Sequence, residues 1–314
     1  MKKLFGLALL ALASLAPDLA QAASRFAVCT TTCTWDNTST AMWSASSGGA
    51  TGASAPTSSD TVTIDAATCV GGTTCTITTF SGTISVQAIT WGACTASTTG
   101  CIIDASANNT NFTISGGSVT GFSGTGTGTR KWLAGTGTYA ITNSSANGCF
   151  SMATTTNDQG STFSGATWSC SGATTSQRTW AGGGFSFGPT TWNANSSGGT
   201  TFLTGANTWS SLTVNGPLYV IQSGTQTVTN ALTLSGTSST AAVAWMATAA
   251  DTPQTISLGA ASTAAWLTIR AVTTSGAAAL TGTNCIDLGR NTFANGGSCS
   301  GPTGGSGGGR IIGG

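Results

Sequence analysis

The pentapeptide Leu212-Thr213-Val214-Asn215-Gly216 returns twenty residues later as Leu232-Thr233-Leu234-Ser235-Gly236, and a looser copy, Phe112-Thr113-Ile114-Ser115-Gly116, lies upstream. Side chains alternate along a strand, so two apolar residues flanking a hydroxyl residue share one face. The following glycine supplies the turn. Loosened to apolar–small–apolar, the triplet recurs at Val62-Thr63-Ile64, Ile84-Ser85-Val86, Tyr139-Ala140-Ile141, Phe150-Ser151-Met152, Phe185-Ser186-Phe187, Ile256-Ser257-Leu258 and Leu267-Thr268-Ile269. A repeat of roughly 20 to 28 residues, or about half that, marks stacked supersecondary units.

Composition points the same way. Charged residues are 5% of the chain, against about a quarter in typical domains. There is no His and no Glu, and the eight acids are all Asp. Thr, Val, Ile, Phe and Trp favour strands while Gly, Asn and Ser favour turns. No stretch downstream of the N-terminal segment has helical periodicity, so the class is all-β. A net charge of +1 leaves no cationic surface for nucleic acid. The adjacent pair Arg130-Lys131 reads as solvated.

Residues 1–22 read as a signal peptide. Lys2 and Lys3 precede a short apolar run, Leu4 to Leu15, and Ala20-Gln21-Ala22 fits a small-x-small cleavage site. No later stretch reaches the length of a membrane span, so no membrane association is expected after cleavage. An even count of ten cysteines in an exported chain argues for disulfides. Spacing alone does not fix connectivity, but the cysteines fall into neighbours: Cys29 with Cys33, Cys69 with Cys75, Cys94 with Cys101, Cys149 with Cys170 and Cys285 with Cys299. Cys149 and Cys170 lie close to one repeat apart, which predicts a bond between stacked neighbours. Zinc sites use Cys-x-x-Cys pairs or added His, and the chain has neither, so no metal or cofactor is expected.

Residues 23–61 form a compact block before the repeats. It reads Thr34-Trp35-Asp36-Asn37, Trp43-Ser44, Gly48-Gly49 and then Pro56 through Asp60-Thr61-Val62-Thr63-Ile64-Asp65. This order of Trp-Asp, Trp-Ser, Gly-Gly and Pro-x-x-x-Asp-x-Val-x-Ile-Asp resembles the opening module of secreted and phage-encoded parallel β-helix proteins, with related patterns in autotransporter passenger repeats. Asn284-Cys285-Ile286-Asp287-Leu288-Gly289-Arg290-Asn291 is similar to that group's closing turn. The resemblance implies a right-handed parallel β-helix with a surface or virion structural role. Its cysteines depart from the group, where Gly often stands, which fits an oxidising environment. An N-terminal cap is expected physically as well, because a first coil would otherwise expose its apolar cross-section and its strand edges. Trp35 and Trp43 are large enough to cover that end.

The repeats are expected over residues 62–299. At about 22 residues per coil they make about ten coils and a rod about 50 Å long. Gly121 to Gly137 and Thr155 to Gly184 are poor in regular triplets and read as longer loops. Asn143, Asn195, Asn215 and Asn230 either stack in side-chain ladders or take left-handed turn geometry. Residues 300–314, almost all Gly and Ser, read as a flexible tail.

Little catalytic chemistry is available. General acid–base work needs a group tuned toward neutral pH, and a Ser nucleophile needs a base. Asp60, Asp65 and Asp104 read as structural, and Asp36, Asp158, Asp251 and Asp287 as turn or cap residues. Trp168, Trp180 and Trp192, each twelve apart, either pack inside the repeat or form an exposed strip for glycans. The sequence thus points to a non-enzymatic exported structural or attachment protein, at the cell surface or secreted, with a cell-surface glycan or another structural protein as partner. The alternatives are a carbohydrate-binding or carbohydrate-cleaving β-helix and a phage virion component.

Overall fold

A computed structural model of the chain describes residues 22–301 except 73, 93–99, 117–118, 121–129, 144–148, 152–159, 173–177, 194–198 and 250–251. Residues 1–21 of the expected signal peptide, the Gly-rich tail from 302, Cys94, Asp158, Asp251 and Asn195 therefore lie outside the described residues.

Among the described residues there is no helix, and nearly every strand pair is parallel. Three faces recur in fixed order along the chain. The first is a 12-stranded sheet and the third a 10-stranded sheet. The second comes in pieces of four and five strands, bridged at Leu133–Thr162 and Phe163–Phe187. The chain visits first, second and third face in turn and then stacks the next rung on the last, which is a solenoid-like winding. Leu212 lies between Thr190 and Leu232, and Val214 between Trp192 and Leu234. The repeated pentapeptide is thus the third-face strand of successive coils. Its pattern is obeyed: Leu212 and Val214 are fully buried and Thr213 faces outward.

Coil length varies more than the sequence spacing implies. On the first face Val119 registers with Phe150, whereas further along Ile269 registers with Asp287. The earlier coil is therefore much the longer of the two. The stretches expected to be loops carry complete rungs at Arg130–Leu133, Thr167–Gly172 and Arg178–Ala181. Their large apolar inward residues are Trp132, Trp168 and Trp180, set among polar, small or cysteine residues rather than in aliphatic pairs, and such rungs do not read as the aliphatic triplet. Arg130 also departs from its expected solvated place. It is fully buried on the same inward side as Trp132, because strand alternation places i and i+2 together.

Tryptophan fills this interior. Nine of the ten are buried, and Trp266 is half-buried with φ +51°. The aromatic rings form one column per face. On the third face Phe112, Tyr139 and Trp168 stack with centroids 5.0 and 4.4 Å apart. On the first, Phe150 stacks on Trp180 at 5.2 Å. On the second, Phe163, Phe187 and Trp209 follow at 5.6 and 5.1 Å. Parallel in-register pairing puts like positions directly above one another, so the columns follow from the winding. Each contact contributes about 0.5–1.5 kcal/mol beyond its burial.

Two buried glutamines join polar groups within this core. The Gln222 carbonyl accepts from Trp245 Nε1 at 2.8 Å, and its amide donates to the Gly224 and Thr255 carbonyls at 2.7 and 2.8 Å. The Gln226 carbonyl accepts from Asn207 Nδ2 at 3.0 Å and Trp209 Nε1 at 3.3 Å. At Asn193 and Asn215, which share a register, a side-chain ladder forms, with Nδ2 of Asn215 donating to Oδ1 of Asn193 at 2.8 Å. The left-handed alternative holds instead at Asn109, Asn284 and Asn295.

Four disulfides are described, Cys29–Cys33, Cys69–Cys75, Cys149–Cys170 and Cys285–Cys299, with Cα separations of 5.7, 5.3, 6.0 and 5.3 Å, inside the bonding range. They suggest an extracellular or otherwise oxidising environment. The first two stack, since Cys29 bridges to Cys69, and Cys75 in turn registers with Cys101 on the next coil. The Cys149–Cys170 bond forms, but not between stacked neighbours as the spacing implies. Its coil runs from Phe150 round to Trp180, so Trp180 and not Cys170 stacks on this part of the first face. Cys149 precedes the first-face strand Phe150–Ser151, and Cys170 lies on the third-face strand Thr167–Gly172. The bond therefore closes one coil across a corner. Cys285–Cys299 has the same arrangement, since Cys285 precedes the first-face strand Ile286–Asp287 and Cys299 lies on the third-face strand Ser298–Cys299 of the same coil.

Candidate functional site

Trp168, Trp180 and Trp192 are 0–1% exposed. All three point inward on their strands, which leaves no ring face for a sugar, so the exposed-strip reading is corrected to core packing. A twelve-residue spacing looks like a surface stripe only because half a coil separates faces of the same interior.

The described carboxylates do not converge on a common centre; each is engaged by its own turn. Asp36 Oδ1 accepts from Thr38 N, Ser39 N and the Thr38 hydroxyl. The Ser39 and Thr38 backbone bonds hold its pKa below the usual carboxylate value. Asp65 accepts from Ala67 N at 2.9 Å. Asp104 accepts from the backbone N–H and hydroxyl of Ser106 at 2.9 and 2.6 Å. Asp287 accepts from Gly289 N at 2.7 Å and from Asn291.

Asp60 is the most structural of the set. It is buried, and its carboxylate accepts from Ala23 N at 3.0 Å and from the N–H and hydroxyl of Thr57, both at 2.8 Å. Its own carbonyl accepts from Gln87 N in the next coil. Burial opposes its charge, but the Thr57 backbone and hydroxyl bonds, the Ala23 bond and the Arg25 guanidinium outweigh it, and the pKa falls below its ordinary value. A depressed folded-state pKa stabilises the fold above the unfolded value and loses that contribution as pH falls through the folded one. Asp60→Asn should therefore lower stability by about 1–3 kcal/mol at pH 7. The gap from wild type should shrink as pH falls below about 4. Denaturant midpoints at the two pH values check this; equal midpoints at pH 7 would remove the carboxylate from the account.

Tyr139 is the remaining perturbed group. Burial pushes its phenol far above the ordinary range, and its hydroxyl donates to the Ala134 carbonyl at 3.0 Å. It stays neutral and structural. Among the described residues no group of three or more His, Cys, Asp or Glu is placed to hold a metal ion. No helix there is long and apolar enough to cross a membrane.

The outer surface holds a feature that sequence reading misses. Outward residues on the third face are Thr191, Thr213, Thr233, Thr263 and Thr281, and on the second Thr227, Ser257 and Thr273. On the later coils of the first face they are different. One outward column runs Phe202, Ile221, Met246, Arg270, and beside it runs Tyr219, Ala244, Thr268, Ile286. Among the described residues, three of the four exposed large hydrophobics, Tyr219, Ile286 and Leu288, lie here. In sequence these residues look like further apolar positions of the repeat. Only knowing which parity faces inward separates Tyr219 and Ile221 from Leu218 and Val220.

An all-β chain of stacked parallel strands, reinforced by disulfides, is the class these observations define. Compared with protein-family models, curated proteins and solved structures, the chain matches none.

Proposed function

We propose that the chain is an exported, non-enzymatic structural or attachment protein, built as a right-handed parallel β-helix with an N-terminal cap. The observation that carries the reading is the continuous packed interior: rung follows rung from Ser24–Ala27 to Ser298–Cys299. Such a body suits a stiff spacer. Handedness is supported by the rule that parallel crossovers within a sheet are right-handed in about 98% of cases. The cap reading is supported by Trp43–Ser44, which pairs antiparallel with Ser24–Ala27 at the start of the stack. Trp35 and Trp43 are fully buried there, edge to face at 5.2 Å. Engagement of each described carboxylate by its own turn counts against a cleaving enzyme. Export is supported by the disulfides and by the signal-like N-terminal sequence.

Fractionation of the native source tests this. The protein should be recovered in the cell-surface or culture fraction, or in purified particles, and should remain there after a salt wash. Recovery in the cytosol with reduced cysteines would overturn export. Release of reducing ends from polysaccharide by the purified protein, abolished by an Asp→Asn change, would overturn the non-enzymatic reading.

A further inference from the structure

Within the outer face of the first sheet, the column Tyr219, Ala244, Thr268 changes side-chain size abruptly. Ala244 is a short step between two taller neighbours, and a hollow opens over it. Tyr219 lies to one side of it, Met246 and Ala244 form its apolar floor, and Ser239, Thr240 and Thr268 also line it. The Tyr219 side chain is 51% exposed, while every tryptophan of the core columns is buried. No charged side chain lines the hollow; Arg270 stands in the neighbouring column.

We propose that this hollow and the column above and below it form a binding platform for a neutral saccharide chain, an inference that rests on the attachment reading and deepens it. A sugar ring has an apolar C–H face and a hydroxyl rim. The hollow offers a flat aromatic face with a methyl and thioether floor for the first, and three hydroxyls that both donate and accept for the second. This is the make-up of small-ligand sites generally, mostly apolar with a few placed polar groups. Size argues against a protein partner. Four or five rungs at about 4.8 Å and about four residues of strand at about 3.3 Å give about 250–320 Å². A stable protein interface uses about 800 Å² on each side. A narrow strip running along the stack suits a thin linear ligand. Charge argues against acidic and basic polymers alike, since the lining offers neither sign.

Purified protein and three variants, incubated with an array of neutral and acidic oligosaccharides, test the platform. Wild type should be retained by neutral oligosaccharides. Tyr219→Ala, which removes the ring from the surface, should weaken retention at least tenfold. Ala244→Leu, which fills the hollow without removing the ring, should do the same and covers the case in which the first variant is unstable. Thr233→Ala on the third face should bind as wild type does. No retention on any neutral glycan, retention of acidic glycans only, or retention that both hollow variants leave intact would overturn the platform. Adhesion of labelled protein to whole cells separates the two readings. Adhesion equal for wild type and both hollow variants discards the platform and keeps attachment, whereas no adhesion by wild type, with a cytosolic location, discards both.

Discussion

Trp168→Ala should lower stability by about 3–5 kcal/mol, the largest loss expected from any single change in this chain. Trp168 sits where the columns of all three faces meet. Its ring stacks on Tyr139 at 4.4 Å and meets Phe150, Phe163, Phe187 and Trp180 edge to face at 5.4 to 6.1 Å. Its indole N–H donates to the Phe163 carbonyl at 3.1 Å. Truncation leaves a cavity that β-rungs above and below cannot close, because each is fixed by its own ladder. At about 2–4 °C per kcal/mol, the melting transition should fall by about 6–20 °C. Trp168→Phe keeps most of the ring and loses the hydrogen bond, so its cost should be nearer 1–2 kcal/mol. A loss below 1 kcal/mol for the alanine variant, read from thermal and denaturant melts, would mean that the three-column core is wrongly placed.

Replacing Cys149 and Cys170 together by Ser should cost about 3 kcal/mol, from the unfolded-chain freedom that a closed loop of this length removes. The separation is 21 residues, and both cysteines are buried. The four-residue Cys29–Cys33 loop should cost less on the same argument, about 2 kcal/mol. Because the longer bond closes one coil across a corner, its loss should loosen the first-face strand Phe150–Ser151 against the third-face strand Thr167–Gly172. Amide exchange should rise in those two strands before it rises in Leu212–Asn215. Non-reducing peptide mapping should recover the linked Cys149–Cys170 fragment. Recovery of either cysteine with another partner, or a stability change below 1 kcal/mol, would sink this account.

Much of the architecture is legible in the sequence because stacking in register makes a local pattern repeat. Leu212-Thr213-Val214 and Leu232-Thr233-Leu234 are local signals of parity, and parity alone identifies their inward faces. The pattern fails where one indole does the work of two aliphatic residues, at Trp132, Trp168 and Trp180. There a large inward indole fills much of the cross-section, and the other residues of the strand are free to be small or polar. Arg130 fails for a related reason: charge weighs above alternation in a sequence reading, and the fold obeys alternation. Register is the larger gap. Spacing pairs Cys149 with Cys170 correctly, yet the coil holding them is longer than their separation, and residues inserted at a corner leave no trace in the rungs. The hollow at Tyr219 is invisible in sequence because it depends on Ala244 standing beside it on the next coil, a relation that no spacing within one strand encodes.

Uneven coil length has a consequence for how such a chain can grow. The coil from Ile269 to Asp287 completes its circuit in far fewer residues than the one from Val119 to Phe150. Both nevertheless advance the stack by the same single rung, about 4.8 Å. Axial extent is therefore counted in rungs, while mass is counted in residues, and the two vary independently. A corner can gain residues without lengthening the body, and duplicating a coil lengthens it without altering any corner. Reach and surface decoration are thereby separate variables for selection, and equally for anyone grafting a peptide onto a corner.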